Sequence, residues 1–192
     1  MTQIIPVHIA GISGSLRAKS FNTATLRAAI ELAPEGVTIE PVEIRDLPLY
    51  NDDIRVAGYP GPVDAFRARL AEADALLFVT PEYNYSIPGV LKNAIDWASR
   101  PPSQPFDGKP VGIMGASPGV IGTARAQYHL RQMLVFLNAY PINKPEVMIG
   151  QAASRFDDAG RLTDEPTRDF IRQHLEALAS WTRRLKQTAS GG

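Results

Sequence analysis

The sequence predicts a single α/β domain built on a doubly wound parallel sheet, and two observations predict it. Short apolar runs rich in β-branched residues alternate with longer segments of helical period, with Gly, Pro or Ser clusters at the joins. Such alternation favours a parallel sheet covered by helices on both faces. The length agrees, since 192 residues supply one well-buried core and are short for two domains.

Strands are expected near 4–10 (IIPVHIA), 37–44 (VTIEPVEI), 74–80 (DALLFVT), 109–115 (KPVGIMG) and 145–149 (PEVMI). Helices are expected near 21–33, 62–72, 88–98, 121–138 and 164–186. The last of them carries Phe170, Ile171, Leu175, Leu178 and Trp181 at helical spacing. Five strands in this arrangement are the flavodoxin-like count, with sheet order 2-1-3-4-5. Each strand except the second leads promptly into a loop and a helix. The second enters a long proline-containing stretch, 46–62, which includes Leu47-Pro48-Leu49-Tyr50; loops of this length are often functional or pack at an interface. The domain is expected to span 1–188, with a disordered tail at 189–192.

Charge and composition narrow the chemistry. Lys plus Arg total 20 and Asp plus Glu total 20, so no net field draws the chain to nucleic acid or an acidic membrane surface. An anionic ligand has to be captured locally. There is no cysteine, which removes disulfides, thiolate nucleophiles and Cys-ligated metals or iron–sulfur clusters together. Redox chemistry then needs an organic cofactor. The chain runs from Met1 straight into the first apolar strand without a basic leader or a cleavage site, the pattern of a cytoplasmic protein.

The loop after the first strand reads Gly11-Ile12-Ser13-Gly14-Ser15-Leu16-Arg17-Ala18-Lys19-Ser20-Phe21-Asn22-Thr23. Small residues let its backbone turn tightly with N–H groups inward, and a helix N-terminus follows, which favours an anion. The hydroxyls of Ser15 and Ser20, the amide of Asn22 and the guanidinium of Arg17 suit a phosphate dianion. The pattern is neither the dinucleotide fingerprint nor a P-loop, and fits a terminal monoester phosphate better than a pyrophosphate. A plainer reading makes it a Ser-rich turn with Ser20 or Asn22 as helix N-cap.

Pro81-Glu82-Tyr83-Asn84-Tyr85-Ser86-Ile87-Pro88-Gly89 follows the third strand. In a 2-1-3-4-5 sheet this loop faces the first across the switch-point crevice, where flavodoxin holds FMN. An isoalloxazine ring needs flat apolar contact and a few directed hydrogen bonds. Tyr83 and Tyr85 offer the contact, the backbone from Glu82 to Ser86 the hydrogen bonds, and Pro81 and Pro88 restrict the loop. The same residues also read as an ordinary βα turn whose tyrosines pack on helices or another subunit. After the fourth strand, Gly115-Ala116-Ser117-Pro118-Gly119-Val120-Ile121-Gly122 permits close backbone approach, with Ser117 as a third contact near the flavin ring. By itself this loop reads as a Pro-Gly turn that starts a helix. What argues for more is the joint occurrence of three such loops at one sheet edge.

The first loop, together with Pro81 to Trp97 (PEYNYSIPGVLKNAIDW), resembles the NADPH-dependent FMN reductase family, in its chromate, quinone and azo reductase branch. The resemblance runs from the first strand to about Met148 and implies a flavodoxin-like fold with non-covalent FMN. It implies phosphate binding by Ser15, Arg17, Ser20 and Asn22, an isoalloxazine lined by Pro81, Glu82, Tyr83, Asn84 and Tyr85, and a contact from Ser117. It further implies that Arg125, Tyr128 and Glu146 lie between dimers of a homotetramer, a homodimer being the smaller alternative.

Such an enzyme takes hydride from NADPH or NADH onto flavin N5 and passes it to a small electron acceptor in ping-pong order, with no catalytic side chain required. His8, His129 and His174 lack metal-ligand spacing and read as structural, and no metal site is expected. Arg100 either reaches an anionic substrate at the crevice mouth or caps the C-terminus of the helix before it. Two alternatives stay open. The chain reduces FMN as a diffusing substrate for a partner monooxygenase, or it is a flavodoxin-type electron carrier. Against the carrier stand Arg17 and a net charge of zero.

Overall fold

A computed structural model describes residues 4–190. In chain order the elements are β1 (Val7–Ser13), α1 (Phe21–Glu31), β2 (Val37–Pro41), α2 (Asp52–Ala57), α3 (Gly61–Glu72), β3 (Ala75–Val79) and α4 (Gly89–Ala98). There follow β4 (Pro110–Ala116), α5 (Ala124–Phe136), β5 (Tyr140–Pro141), β6 (Val147–Ile149) and α6 (Glu165–Ser190). All strand pairs are parallel, in the order β2-β1-β3-β4-β5, with β6 also paired to β4. The doubly wound, flavodoxin-like order read from the sequence is the one observed. The tail expected at 189–192 falls outside the residues whose side chains are described.

Strand β3 shows why the sequence takes this form. All five of its residues are buried, and alternate side chains enter opposite layers, as a period of two requires. Leu76 and Phe78 pack with Phe66 and Leu70 of α3, Leu91 and Ile95 of α4 and Leu130 and Leu134 of α5. Ala75, Leu77 and Val79 pack with Leu26 and Ala29 of α1 and Ile171, Leu175 and Leu178 of α6. A polar residue at either phase would therefore meet a helix rather than water. Because chain direction along the sheet reverses at β1, the loops after β1 and β3 leave opposite faces and open a crevice between them.

The fifth sheet position departs from expectation. It is split into β5 and β6, which pair with opposite halves of β4. Pairing lasts until the Ile142 amide, which donates to the Val111 carbonyl at 2.9 Å, and resumes at Val147. Pro141 and Pro145 have no N–H to offer a ladder, so a continuous strand is ruled out here. Helix α5 starts at Ala124 rather than 121 because Gly122 holds a left-handed backbone, φ 63°, which cannot belong to a helix.

The stretch at 46–62 is ordered rather than open loop. The Asn93 carboxamide accepts from the Tyr50 amide (2.7 Å) and donates to the Pro48 carbonyl (2.8 Å), which also accepts from Trp97 Nε1 (2.8 Å). Tyr50 and Tyr59 pack against the buried Trp97 ring. Arg67, buried apart from 9% of its surface, donates to the carbonyls of Trp97, Ala98, Arg100 and Ser103. It thus satisfies the C-terminal carbonyls of α4 and offsets the negative end of that helix.

His174 of α6 is fully buried over β4. Its Nδ1 lies 2.8 Å from the Pro145 carbonyl, while Nε2 has no hydrogen-bond partner among the described residues. A Cβ on Gly112 would stand 2.8 Å from that Nε2, so the close approach requires glycine. Burial, with a smaller effect of Arg131, lowers the imidazole pKa from 6.5 to about 4. The folded protein therefore holds a neutral ring where the unfolded chain would be protonated. The stability this confers is full above pH 6.5 and is lost as the pH falls toward 4. Between pH 7 and 4.5 the wild type is expected to lose about 2 kcal/mol more stability than His174→Asn. Denaturant titrations at the two pH values read the difference, and equal losses would contradict it.

Candidate functional site

The first loop leaves β1 at Gly14, whose amide donates to the Val79 carbonyl at 2.8 Å, tying it to β3. A Cβ on Gly14 would sit 3.1–3.3 Å from Leu91, Thr80 and Pro81, so only glycine fits the turn without displacement. Beyond it the hydroxyls chain: the Ser15 amide donates to Ser13 Oγ and the Arg17 amide to Ser15 Oγ, both at 3.4 Å. The N–H groups of Leu16, Ala18 and Lys19 have no acceptor among the described residues. Arg17 is exposed and has no carboxylate partner among the described ion pairs. A loop with free amides, a hydroxyl and one unpaired guanidinium at a helix N-terminus is the donor set of an anion site.

Ser20 and Asn22 hold this loop. Ser20 Oγ accepts from the amides of Asn22 (3.1 Å) and Thr23 (3.3 Å) as the N-cap of α1. The buried Asn22 carboxamide grips the backbone of Ala116 at the end of β4 with two bonds: Nδ2 donates to the carbonyl (2.9 Å) and Oδ1 accepts from the amide (2.8 Å). The side chains of Ser20 and Asn22 are thus engaged within the chain, while Ser15 and Arg17 face the crevice.

The third loop is a two-residue turn. Tyr83 and Ser86 exchange backbone hydrogen bonds of 2.9 and 3.0 Å, and Asn84 and Tyr85 both hold left-handed backbones, φ 50° and 65°. This is the pattern of a type I′ turn. The amides of Tyr83 and Ser86 are used inside the turn, while those of Asn84 and Tyr85 have no acceptor among the described residues. A left-handed backbone at a bulky residue such as Tyr85 costs about 1–3 kcal/mol and persists only where surroundings enforce it. Here the Tyr83–Ser86 pair closes the turn, and the Arg125 guanidinium stacks 3.6 Å from the centre of the Tyr85 ring. Arg125 Nε in turn donates to Glu82 Oε1 at 2.7 Å, and Glu82 Oε2 accepts from the amides of Arg125 and Ala126 (3.0 and 3.1 Å). The Glu82 carboxylate therefore caps α5, which has no N-cap side chain of its own.

At the fourth loop, Ser117 Oγ donates to the Gly122 carbonyl at 2.6 Å and closes the turn before α5. Ser15, Arg17, Ser20 and Asn22 from the first loop, Pro81, Glu82 and Tyr83 from the third, and Ser117 from the fourth line one cavity of ≈ 70 Å³. Phe21, Ala116 and Pro118 complete its wall; each adjoins a residue singled out from the sequence, and that adjacency is the signal by which they are found. A recess of ≈ 280 Å³ opens beside it between Gly14, Ser15, Leu16, Arg17, Tyr83 and Val90. Asn84 and Tyr85 lie on the adjoining turn.

Other expected residues lie apart. Arg100 follows the C-terminal end of α4, about 15 Å of helix from the crevice rim. Its Nε donates to the Asp96 carbonyl (3.1 Å) and Nη2 to Ser99 Oγ (2.9 Å), the bonds of a helix cap. Tyr128 is exposed on α5, and Glu146 lies beside β6 in a separate groove with Arg155 and Phe170. The histidines are dispersed, His8 beside Glu40, His129 beside Ser86 and His174 in the core.

The chemistry of this donor set suits FMN. It combines free amides and a guanidinium suited to a phosphate with an aromatic turn that keeps two unused amides for a ring edge. Comparison with known proteins decides the lineage: the sequence profile of the NADPH-dependent FMN reductases matches residues 7–154. The chain belongs to that family. An NAD(P)H-dependent FMN reductase of Pseudomonas aeruginosa is 59% identical over 94% of this chain and 97% of its own. A quinone reductase of Pseudomonas putida is 46% identical over 95% of this chain and 97% of its own. Among solved structures, the flavoenzyme NAD(P)H:(acceptor) oxidoreductase of Paracoccus denitrificans superposes with a TM-score of 0.84 at 39% identity, covering 93% of this chain and 98% of that one.

Replacing Asn22 by alanine removes both bonds to Ala116 and strands a buried amide and carbonyl. Asn22→Ala is expected to cost about 2–4 kcal/mol, read as a lowered denaturation midpoint. A change below about 0.5 kcal/mol would contradict the clamp.

Proposed function

We propose that the chain holds one FMN across the three loops and uses it to reduce small acceptors with NADPH or NADH. Quinones are the first acceptors to test, with azo compounds and chromate after them. The observation that carries this reading is the meeting of Ser15 and the unpaired Arg17 with Tyr83 at one crevice. The quinone and FMN reductase relatives span nearly its whole length and support it.

Ser15, Arg17 and the free amides of the first loop bind the phosphate, and Ser20 and Asn22 keep that loop in place. Tyr83 lies against the ring, and the unused amides of Asn84 and Tyr85 bond its polar edge. FMN, when bound, supplies the redox chemistry, accepting hydride from the reduced nucleotide and giving it to the acceptor. Donor and acceptor take the recess of ≈ 280 Å³ beside Tyr83 in turn, in ping-pong order. Parallel lines in double-reciprocal kinetics test that order.

Among the described residues no helix is long and apolar enough to cross a membrane, and a cytoplasmic location fits the disulfide-free composition. The exposed side of α5 carries Tyr128, Val135 (78% exposed) and Phe136 (86% exposed). An apolar face of this kind supports association into a homodimer or homotetramer, with Arg125, Tyr128 and Glu146 as contacts. A second reading, turnover of FMN as a diffusing substrate, is favoured by the FMN reductase name of one relative. Retention of yellow flavin through gel filtration separates the two.

Arg17→Ala is expected to weaken FMN binding about 10- to 100-fold by removing a charge-assisted phosphate contact. Titration calorimetry reads the affinity, and anaerobic NADPH addition followed by visible absorbance reads reduction. Unchanged affinity in the variant, or no flavin binding by the wild type, contradicts the reading.

A further inference from the structure

Behind the first loop, on the side facing β2, lies a cavity of ≈ 310 Å³. Its polar wall combines Ser13, Ser15, Arg17, Arg27, Glu43 and Arg45. Three separate elements thus contribute one arginine each to its lining: the loop after β1, the exposed face of α1 and the segment after β2. Ion pairs are frequent elsewhere on the surface, yet none of these arginines has a carboxylate within 4.0 Å among the described ion pairs. Glu43 is the single acid of the wall, so the cavity keeps an excess of positive charge in a chain with none overall.

The arginines are held loosely. Arg45 Nη2 donates to the Leu16 carbonyl at 3.0 Å, which places it against the phosphate loop and leaves its other N–H groups available. Arg27 makes no hydrogen bond among the described residues; its tip rests beside Gly160, where a Cβ would stand 3.3 Å from Nη2. Three like charges set against the single carboxylate of Glu43 repel one another, and an anion that joins them relieves the excess. Guanidinium forks match phosphate in geometry as well as charge. Below them, Leu26, Ile30, Pro41 and Val42 form an apolar floor of the kind a purine ring covers.

Ser15 and Arg17 also line the junction of the three loops and the recess beside Tyr83. A ligand wrapped around the first loop therefore passes from the flavin crevice to the arginine cavity without leaving the surface of these two residues. We propose that this cavity is the subsite for the adenosine 2′-phosphate of NADPH, with Arg27 and Arg45 binding the phosphate and the apolar floor taking the adenine. The proposal rests on the reading of the crevice as a flavin site served by a reduced pyridine nucleotide, and it assigns that nucleotide as the 2′-phosphorylated one. In NADH a hydroxyl stands where the guanidinium groups meet the phosphate, and the charge-assisted bonds are lost.

The test is calorimetry on FMN-saturated protein with adenosine 2′,5′-bisphosphate and, separately, adenosine 5′-phosphate. The bisphosphate is expected to bind at least about tenfold more tightly to the wild type, as one or two charge-assisted hydrogen bonds imply. In Arg27→Ala and in Arg45→Met that preference is expected to shrink toward unity, with the kcat/KM ratio of NADPH over NADH falling in parallel. Circular dichroism and an FMN titration of each variant read fold and flavin site separately. Equal binding of the two adenosine ligands by the wild type overturns the proposal. So does a preference that survives both substitutions, or competition between the bisphosphate and FMN, which would make the cavity the flavin phosphate's own. Should the wild type fail to bind FMN, the flavin reading falls instead, while the bisphosphate preference is still measured on the same protein.

Discussion

The two hydrogen bonds between the Asn22 carboxamide and the backbone of Ala116 are the constraint on which the crevice depends. They join the first turn of α1 to the end of β4, across the full width of the switch point. The first loop's other ties are its rung to β3 at Gly14, the bond between the Ser13 and Thr23 hydroxyls and the Arg45 contact on the Leu16 carbonyl, none of which reaches β4. Buried and reciprocal, the pair behaves as a short length of sheet made by a side chain, and an unmet partner on either side is costly. The free amides of the first loop can then aim at a ligand because the helix that follows them is fixed.

The third loop is fixed by a different device. A left-handed Asn84 and Tyr85 are strained in isolation, and the strain is offset by the stack of Arg125 on Tyr85 and by Glu82 at the start of α5. Loop and helix therefore move together. The arrangement keeps the turn's two unused backbone amides in place, which lowers the ordering cost of binding a planar ligand. Charge follows the same division of labour: Glu82 neutralises Arg125, whereas Arg17, a few residues from α1, is left free for an anion.

Much of the fold was legible in the sequence. The solid apolar runs at 75–79 and 110–116 announce strands buried on both faces, and the loops that follow them carry the small and aromatic residues of the site. The division of β5 from β6 was not legible, because PEVMI has the composition of a strand and only the pairing shows where prolines interrupt it. Nor was the order in 46–62, which depends on Asn93, Trp97 and Arg67, residues distant in sequence that read as ordinary helix positions. At the site, Ser20 and Asn22 were found as residues but their work was ambiguous: the same polar side chain serves as cap, clamp or ligand contact. The partnership of Glu82 with Arg125 spans 43 positions and leaves no local pattern. Arg27 and Arg45 likewise carry no motif; only the packing of α1 against β2 brings them into one cavity lining with Arg17.

These devices have a common consequence: the amides that the first and third loops leave unused lie together at the crevice. The most direct measurement is a nitrogen-15 NMR titration of the chain with FMN. The amides of Leu16, Ala18, Lys19, Asn84 and Tyr85 should shift together and saturate at one equivalent, with those of Arg100 and α6 unmoved. Shifts centred elsewhere, or none in these amides at saturating FMN, would contradict the account.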